Sequence, residues 1–209
     1  MKRILIIVFL LSSIHANSQV KLGVKFSPSL IFNRIKVDSD TMNVVKDGAG
    51  FRPSFGILAE LPLSDTYSFS TGVSYLSKTV NLRLDPINAS AFSQQYIVQY
   101  IQVPLTIKMF TNEISIDKKL YFQTGFNLEI QVYNENKSPG GDAIESFMLF
   151  DLPIMIATGA EINLGTHTIL FFGVSYYRGL INISTKENFE KNAFSIKNDV
   201  LGFDFGLKF

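Results

Sequence analysis

The 209-residue chain contains no cysteine and no tryptophan, and only two histidines. Without cysteine there is no disulfide framework and no thiolate metal site. Charge of neither sign dominates: 19 Lys and Arg stand against 18 Asp and Glu, with no basic block. Such a chain lacks the electrostatic footprint of a nucleic-acid binder. Helical three-four spacing of apolar residues is scarce. Beyond the first residues, no run approaches the roughly 20 apolar residues that a membrane-crossing helix needs. Catalytic and ligand patterns are missing too. There is no G-x-S-x-G elbow. Ser138-Pro139-Gly140-Gly141-Asp142 lacks the Lys-Ser/Thr of a phosphate loop. Asp38-Ser39-Asp40-Thr41-Met42-Asn43 opens like a calcium loop, but Met42 stands where an acid or amide belongs and no glycine follows it. Both segments read as solvated surface loops. No cofactor and no metal are expected.

The chain does have a distinctive start. Lys2 and Arg3 precede an unbroken apolar run, Ile4 to Leu11. Ala16-Asn17-Ser18 then places small residues at the −3 and −1 positions of a cut before Gln19. This is the layout of a cleavable secretory signal peptide. The expected organisation is a signal peptide over 1–18 and one domain over 19–209.

Period-two alternation fills the rest. Leu120, Phe122, Thr124, Phe126, Leu128, Ile130 and Val132 alternate with Tyr121, Gln123, Gly125, Asn127, Glu129 and Gln131. The same pattern runs through 20–27, 51–61, 67–75, 100–109, 151–162, 170–179 and 201–209. Each segment has one face of large apolar residues and one of Ser, Gly, Gln and charge. In a soluble barrel the apolar face would be inside. A face of small polar residues suits a narrow lumen, which turns the apolar face toward lipid, the signature of a transmembrane β-barrel. Only helices and closed barrels satisfy every backbone group in lipid. The predicted fold is therefore all-β: an eight-stranded antiparallel up-and-down transmembrane β-barrel.

Connections agree. Pro62 to Asp65 and Asn163 to Thr166 make tight turns, and Thr111 to Lys119 a somewhat longer one. The other connections, 33–49, 77–95, 134–147 and 180–195, are long and polar. Short periplasmic turns alternating with long extracellular loops belong to the same architecture. Tyr67 and Tyr75 share a face at heights about 19 Å apart, nearly bracketing an apolar band about 25 Å tall. Pro104 and Pro153 fall inside predicted strands. Each removes a ladder donor, so a bulge or break is expected at each.

The closing segment LGFDFGLKF ends on an alternation in which Phe205, Leu207 and Phe209 share the apolar face. It resembles the signal read by the outer-membrane barrel assembly machinery. The order of KLGVKFSPSL, SFGILAELPLSDTYSFSTGVSYLSK, YIQVPLTIKMF, KLYFQTGFNLEI, FFGVSYYRGLINIS and GFDFGLKF resembles the PorT-like outer-membrane β-barrel family of Bacteroidetes-type bacteria. The resemblance implies an outer-membrane location and contact with outer-membrane lipid, and carries no common activity. In that family an acidic residue often occupies the position of Gln102.

Candidate functional residues are the charges on polar faces: Arg52, Glu60, Lys108, Glu129, Asp151, Glu161, Asp204 and Lys208. Buried charges must pair, and eight strands leave room for side chains only. A salt-bridge network plugging the lumen is the expectation. His167 follows a short turn, so it sits at the periplasmic rim, away from outer-leaflet substrate. The expected function is non-enzymatic: a barrel whose extracellular loops bind an outside ligand, or which supports envelope integrity or secretion. Two other classes compete. One is a small pore or lipid-modifying enzyme. The other is a soluble periplasmic barrel with its apolar faces inward around an apolar ligand.

Overall fold

A computed structural model describes residues 20–37, 42–86, 90–138, 143–187 and 194–209. The predicted signal peptide, 1–18, lies outside the described residues. So do most of the calcium-like segment, at 38–41, and the glycine-rich tip, at 139–142. Among the described residues no helix is long and apolar enough to cross a membrane.

The strands are β1 (Lys21–Val37), β2 (Met42–Lys46), β3 (Gly50–Pro62), β4 (Tyr67–Pro86), β5 (Phe92–Phe110), β6 (Lys118–Asn136), β7 (Ile144–Phe147), β8 (Phe150–Asp151), β9 (Ile154–Asn163), β10 (Ile169–Arg178), β11 (Ser184–Glu187) and β12 (Phe194–Lys208). Eight of them close a ring of antiparallel neighbours, β1-β3-β4-β5-β6-β9-β10-β12 and back to β1. Each hairpin joins strands adjacent in the ring. The closing contact includes a reciprocal pair of backbone bonds, Leu22 N to Phe209 O at 3.1 Å and Phe209 N to Leu22 O at 2.7 Å.

Register fixes the shape. Partners traced from Ile31 run through Val200, Tyr177, Met155, Gly125, Thr106, Ser70 and Glu60, and return to β1 at Lys21. The ring closes ten residues below its start at Ile31. That stagger over eight strands tilts them by about 40°, so each residue climbs about 2.5 Å. Outward on β1 stand Leu22, Val24, Phe26, Pro28, Leu30 and Phe32, then Arg34 and Lys36. The apolar part of that face spans about 25 Å, the height of a membrane band. Phe26, Phe55, Ile57, Phe126, Ile156 and Phe205 are each about half exposed or more, as a lipid-facing belt requires. Burying these side chains in lipid is the driving force that water-soluble barrels obtain from their cores. The alternative with apolar faces inward is thereby overturned for the belt.

The strands climb beyond the belt, into segments expected as long loops. β4 runs on to Pro86, β5 begins at Phe92, β6 extends to Asn136 and β12 begins at Phe194. The inward phase is kept while its chemistry changes. On β4 the inward residues Ser68, Ser70, Gly72 and Ser74 are followed by Leu76, Lys78, Val80, Leu82 and Leu84. Above the belt water surrounds the barrel, so the apolar residues belong inside. There Val80, Leu82, Tyr96, Val98, Ile183 and Ile196 form one buried cluster with Ala143, Ile144 and Phe147. The β7–β11 ribbon folds into the mouth to complete it. Ala143 N donates to Tyr96 Oη at 2.9 Å, and Met148 N to Ile183 O at 2.8 Å.

Both prolines interrupt the ladder. Pro153 lies between β8 and β9, which are separate strands on β6. Pro104 sits where β4–β5 pairing lapses between Ser70↔Thr106 and Ser74↔Gln102. Gly72 occupies the facing gap at φ 155, a value that suits glycine.

Candidate functional site

Inward phase on separate strands brings the lumen charges together in three layers. The lowest holds Glu60 from β3, Lys108 from β5, Glu161 from β9 and Lys208 from β12. Lys208 Nζ lies 2.7 Å from Glu161 Oε2 and 3.0 Å from Glu60 Oε2. Lys108 pairs with Glu161 and lies 3.4 Å from Glu60 Oε2. Two cations thus bridge two anions. Lys108 Nζ also sits 3.8 Å above the Tyr121 ring, a cation–π contact.

The middle layer centres on Asp204. Lys25 Nζ lies 3.3 Å from its Oδ1, and the same oxygen accepts from Ser27 Oγ at 2.5 Å and Ser175 Oγ at 3.1 Å. Serine and glycine flank it because large side chains would not fit. A Cβ on Gly202 would sit 2.7 Å from Ser175 Oγ and 2.8 Å from Ser27 Oγ.

The upper layer holds one cation and two anions. Lys78 pairs with Glu129 and lies 3.4 Å from Asp151 Oδ2. Gln102 Nε2 donates to Glu129 Oε1 at 2.7 Å, and Asn127 Nδ2 to the same oxygen at 3.3 Å. An amide at 102 supplies the donor this carboxylate needs. An acid there would set a third carboxylate around one lysine. Lys78 and Glu129 are fully buried, so each depends on the other.

The structure therefore gathers Glu60, Lys108, Glu161 and Lys208 in one layer and Glu129 with Asp151 in another, pairs Asp204 with Lys25, and sets Arg52 apart. Arg52 lies above the end of the β3–β4 ladder, which begins at Ser54↔Leu76, and its Nε donates to Thr79 Oγ1 at 3.0 Å. Two lumen cations went unselected in the sequence. Lys25 stood on a recognised polar face with no visible partner, since Asp204 is at the other end of the chain. Lys78 falls in the segment 77–95, whose polar residues predict a loop; its place in phase with Ser68 to Ser74 is the signal that marks it as inward. Between the lower and upper layers a cavity of about 50 Å³ remains, room for a water molecule or two. His167 is exposed in the short turn after β9. Phe205, Leu207 and Phe209 occupy the lipid-facing side of the closing strand, with Phe205 and Phe209 well exposed.

A closed antiparallel barrel with an apolar belt, a charged lumen and a water-side cap defines an outer-membrane β-barrel protein. The sequence matches the family described as outer membrane protein beta-barrel domain over residues 13–185, and the chain belongs to that family. It matches no curated protein. Among solved structures it is similar to Neisserial surface protein A, with TM-score 0.53 and 13% identity over 92% of this chain and 98% of that one. It is similar to OprG from Pseudomonas aeruginosa, with TM-score 0.51 and 12% identity over 93% and 98% of the two chains. The outer membrane protease OmpT from Escherichia coli aligns with TM-score 0.53 and 8% identity over 93% and 98%. At such identities the likeness is one of fold. The protein is thus placed in the outer membrane by its family and fold.

Proposed function

We propose that this protein is a non-enzymatic outer-membrane barrel that presents a rigid extracellular cap for binding or adhesion, and so supports the envelope. One observation carries the reading: three ionic layers fill the lumen and an apolar core closes its outer end. Among the described residues these layers and the cap fill most of the lumen, which argues against a solute path and against a substrate pocket within it. What remains for function is the outside of the cap. Within its family we place the chain with the PorT-like barrels, on the motif order given above. We also assign Phe205, Leu207 and Phe209 to recognition by the barrel assembly machinery, because they stand outward on the closing strand.

A cell lacking the protein, complemented with variants, tests this. Replacing Val80 to Tyr96 by a tight Asn-Gly turn removes one cap hairpin and keeps the lumen charges. The reading expects this variant to reach the membrane, fail to restore surface adhesion and leave the cell sensitive to bile salt. Full restoration by the shortened barrel contradicts it. So does a lipid-deacylation activity that disappears in His167→Ala.

A further inference from the structure

The outward residues of β10, β12 and β1 each change from apolar to charged toward the extracellular end of the strand. Tyr176, Leu201 and Phe32 are the last members of the belt; Arg178, Asp199, Lys197 and Arg34 stand just above them. Register sets these charges side by side, Arg178 across from Asp199 and Arg34 across from Lys197. Arg34 grips Asp199 with Nε at 2.7 Å and Nη2 at 2.9 Å, and Nη2 also donates to Gly179 O at 2.6 Å. Among the described residues of this sector one carboxylate thus faces three cations, an excess of positive charge at the depth of lipid headgroups. Elsewhere on the described cap, Arg83 pairs with Asp85 at 3.3 Å and Lys137 with Glu135 at 2.6 Å.

Below the cations, the outer face of the barrel carries an apolar groove of about 630 Å³. It descends from Tyr176 past Val174 to Phe122. Its floor is Thr124 and Thr158, whose hydroxyls turn back onto Met155 O at 3.2 Å and Tyr121 O at 3.1 Å. Their polarity is thereby satisfied by backbone, and the groove stays apolar. Tyr176 joins the two parts. Its ring lines the groove, while its hydroxyl donates to Asp199 Oδ2 at 3.0 Å.

We propose that this face seats one phosphorylated lipid of the outer leaflet. Its phosphate lies against Arg178, Lys197 and Arg34, and an acyl chain runs down the groove. The Arg178 guanidinium meets phosphate oxygens in a fork, which the Lys197 ammonium cannot, while Arg34, held by Asp199 through Nε and Nη2, adds its charge beside them. The groove lies within the belt, where its surroundings are acyl chains and not water. Cations directly above an apolar channel repeat the order of a headgroup over its chain, and this order selects a lipid over a protein partner.

The full-length barrel in phosphatidylcholine nanodiscs, titrated with diphosphoryl lipid A and read by native mass spectrometry, tests the assignment. Unboiled gel mobility first establishes that each variant is folded. One saturable lipid A per barrel is expected. Arg178→Gln with Lys197→Gln should weaken it at least about tenfold, as two charge-assisted contacts are lost. Thr158→Phe, which fills the groove without changing charge, should weaken it as well. Arg83→Gln with Lys137→Gln should leave it unchanged. Equal binding by the first pair of substitutions, or equal binding of lipid A stripped of its phosphates, overturns the proposal. A second copy of the barrel seated over Thr158 in place of lipid also overturns it.

Discussion

Lys78 reaches across the lumen from β4 to Glu129 on β6, and neither side chain is accessible to water. The pair spans strands that are not neighbours, so it ties the barrel wall together from inside. Removing one partner leaves a buried charge uncompensated. Lys78→Met should therefore lower stability by about 3–5 kcal/mol. Guanidinium unfolding of the refolded barrel in detergent measures this. Adding Glu129→Gln and Asp151→Asn to Lys78→Met should recover much of the loss. A triple variant as unstable as the single one would mean that Lys78 acts through packing and not through charge.

Gln102 supplies the shorter of two amide donations to Glu129 Oε1 in the upper layer, at 2.7 Å against 3.3 Å from Asn127. Gln102→Glu should cost about 1–3 kcal/mol at neutral pH, because it replaces a donor to Glu129 by a like charge. The cost should shrink on acidification, as the added carboxyl becomes protonated and can donate again. Unfolding midpoints at pH 7 and pH 4, each compared with the parent protein at the same pH, check the sign.

The cap has its own core. Ile183→Ala should destabilise it by about 2–5 kcal/mol through the cavity left behind. Ile183 packs within the cap cluster beside the β7–β11 ribbon, so the loss should appear as local opening. Hydrogen exchange should speed up at Ile144 to Phe147 and at Ser184 more than in β6 or β12 at belt height.

Asp117 turns the chain with φ 61 between Ser115 and Lys118. Asp117→Gly should hold or raise stability by up to about 1 kcal/mol, and Asp117→Val should lower it by a similar amount or more. Thermal gel-shift midpoints separate the two.

How far the sequence could be read depended on which solvent surrounds each strand. Within the belt, polar-in and apolar-out is one rule, and Leu120 to Val132 states it seven times on the apolar side. The same rule placed Glu60, Lys108, Glu161 and Lys208 inside, since each stands between two apolar residues of the outward face. Above the belt the rule inverts. Leu76, Val80, Leu82 and Leu84 keep the inward phase of Ser68 to Ser74 but are apolar, so 77–95 read as loop although most of it is strand. Which charges meet was not legible at all. Lys25 and Asp204 come together only because the ring closes between β1 and β12 with a stagger of ten residues. That stagger is a property of the whole sheet and is written in no single strand.

The central claim is that the barrel is closed and its lumen sealed. Conductance across a planar lipid bilayer tests it most directly, using purified protein whose unboiled form migrates faster than its boiled form. The account predicts no stepwise current from the parent protein at any ordinary voltage. It also predicts that steps appear only when all three layers are emptied and the cap is shortened together, as in Lys78→Ser, Lys108→Ser, Glu161→Ser and Asp204→Ser with Val80 to Tyr96 replaced by Asn-Gly. Discrete, reproducible openings in the parent protein would contradict the sealed lumen and turn the charged layers into an ion path.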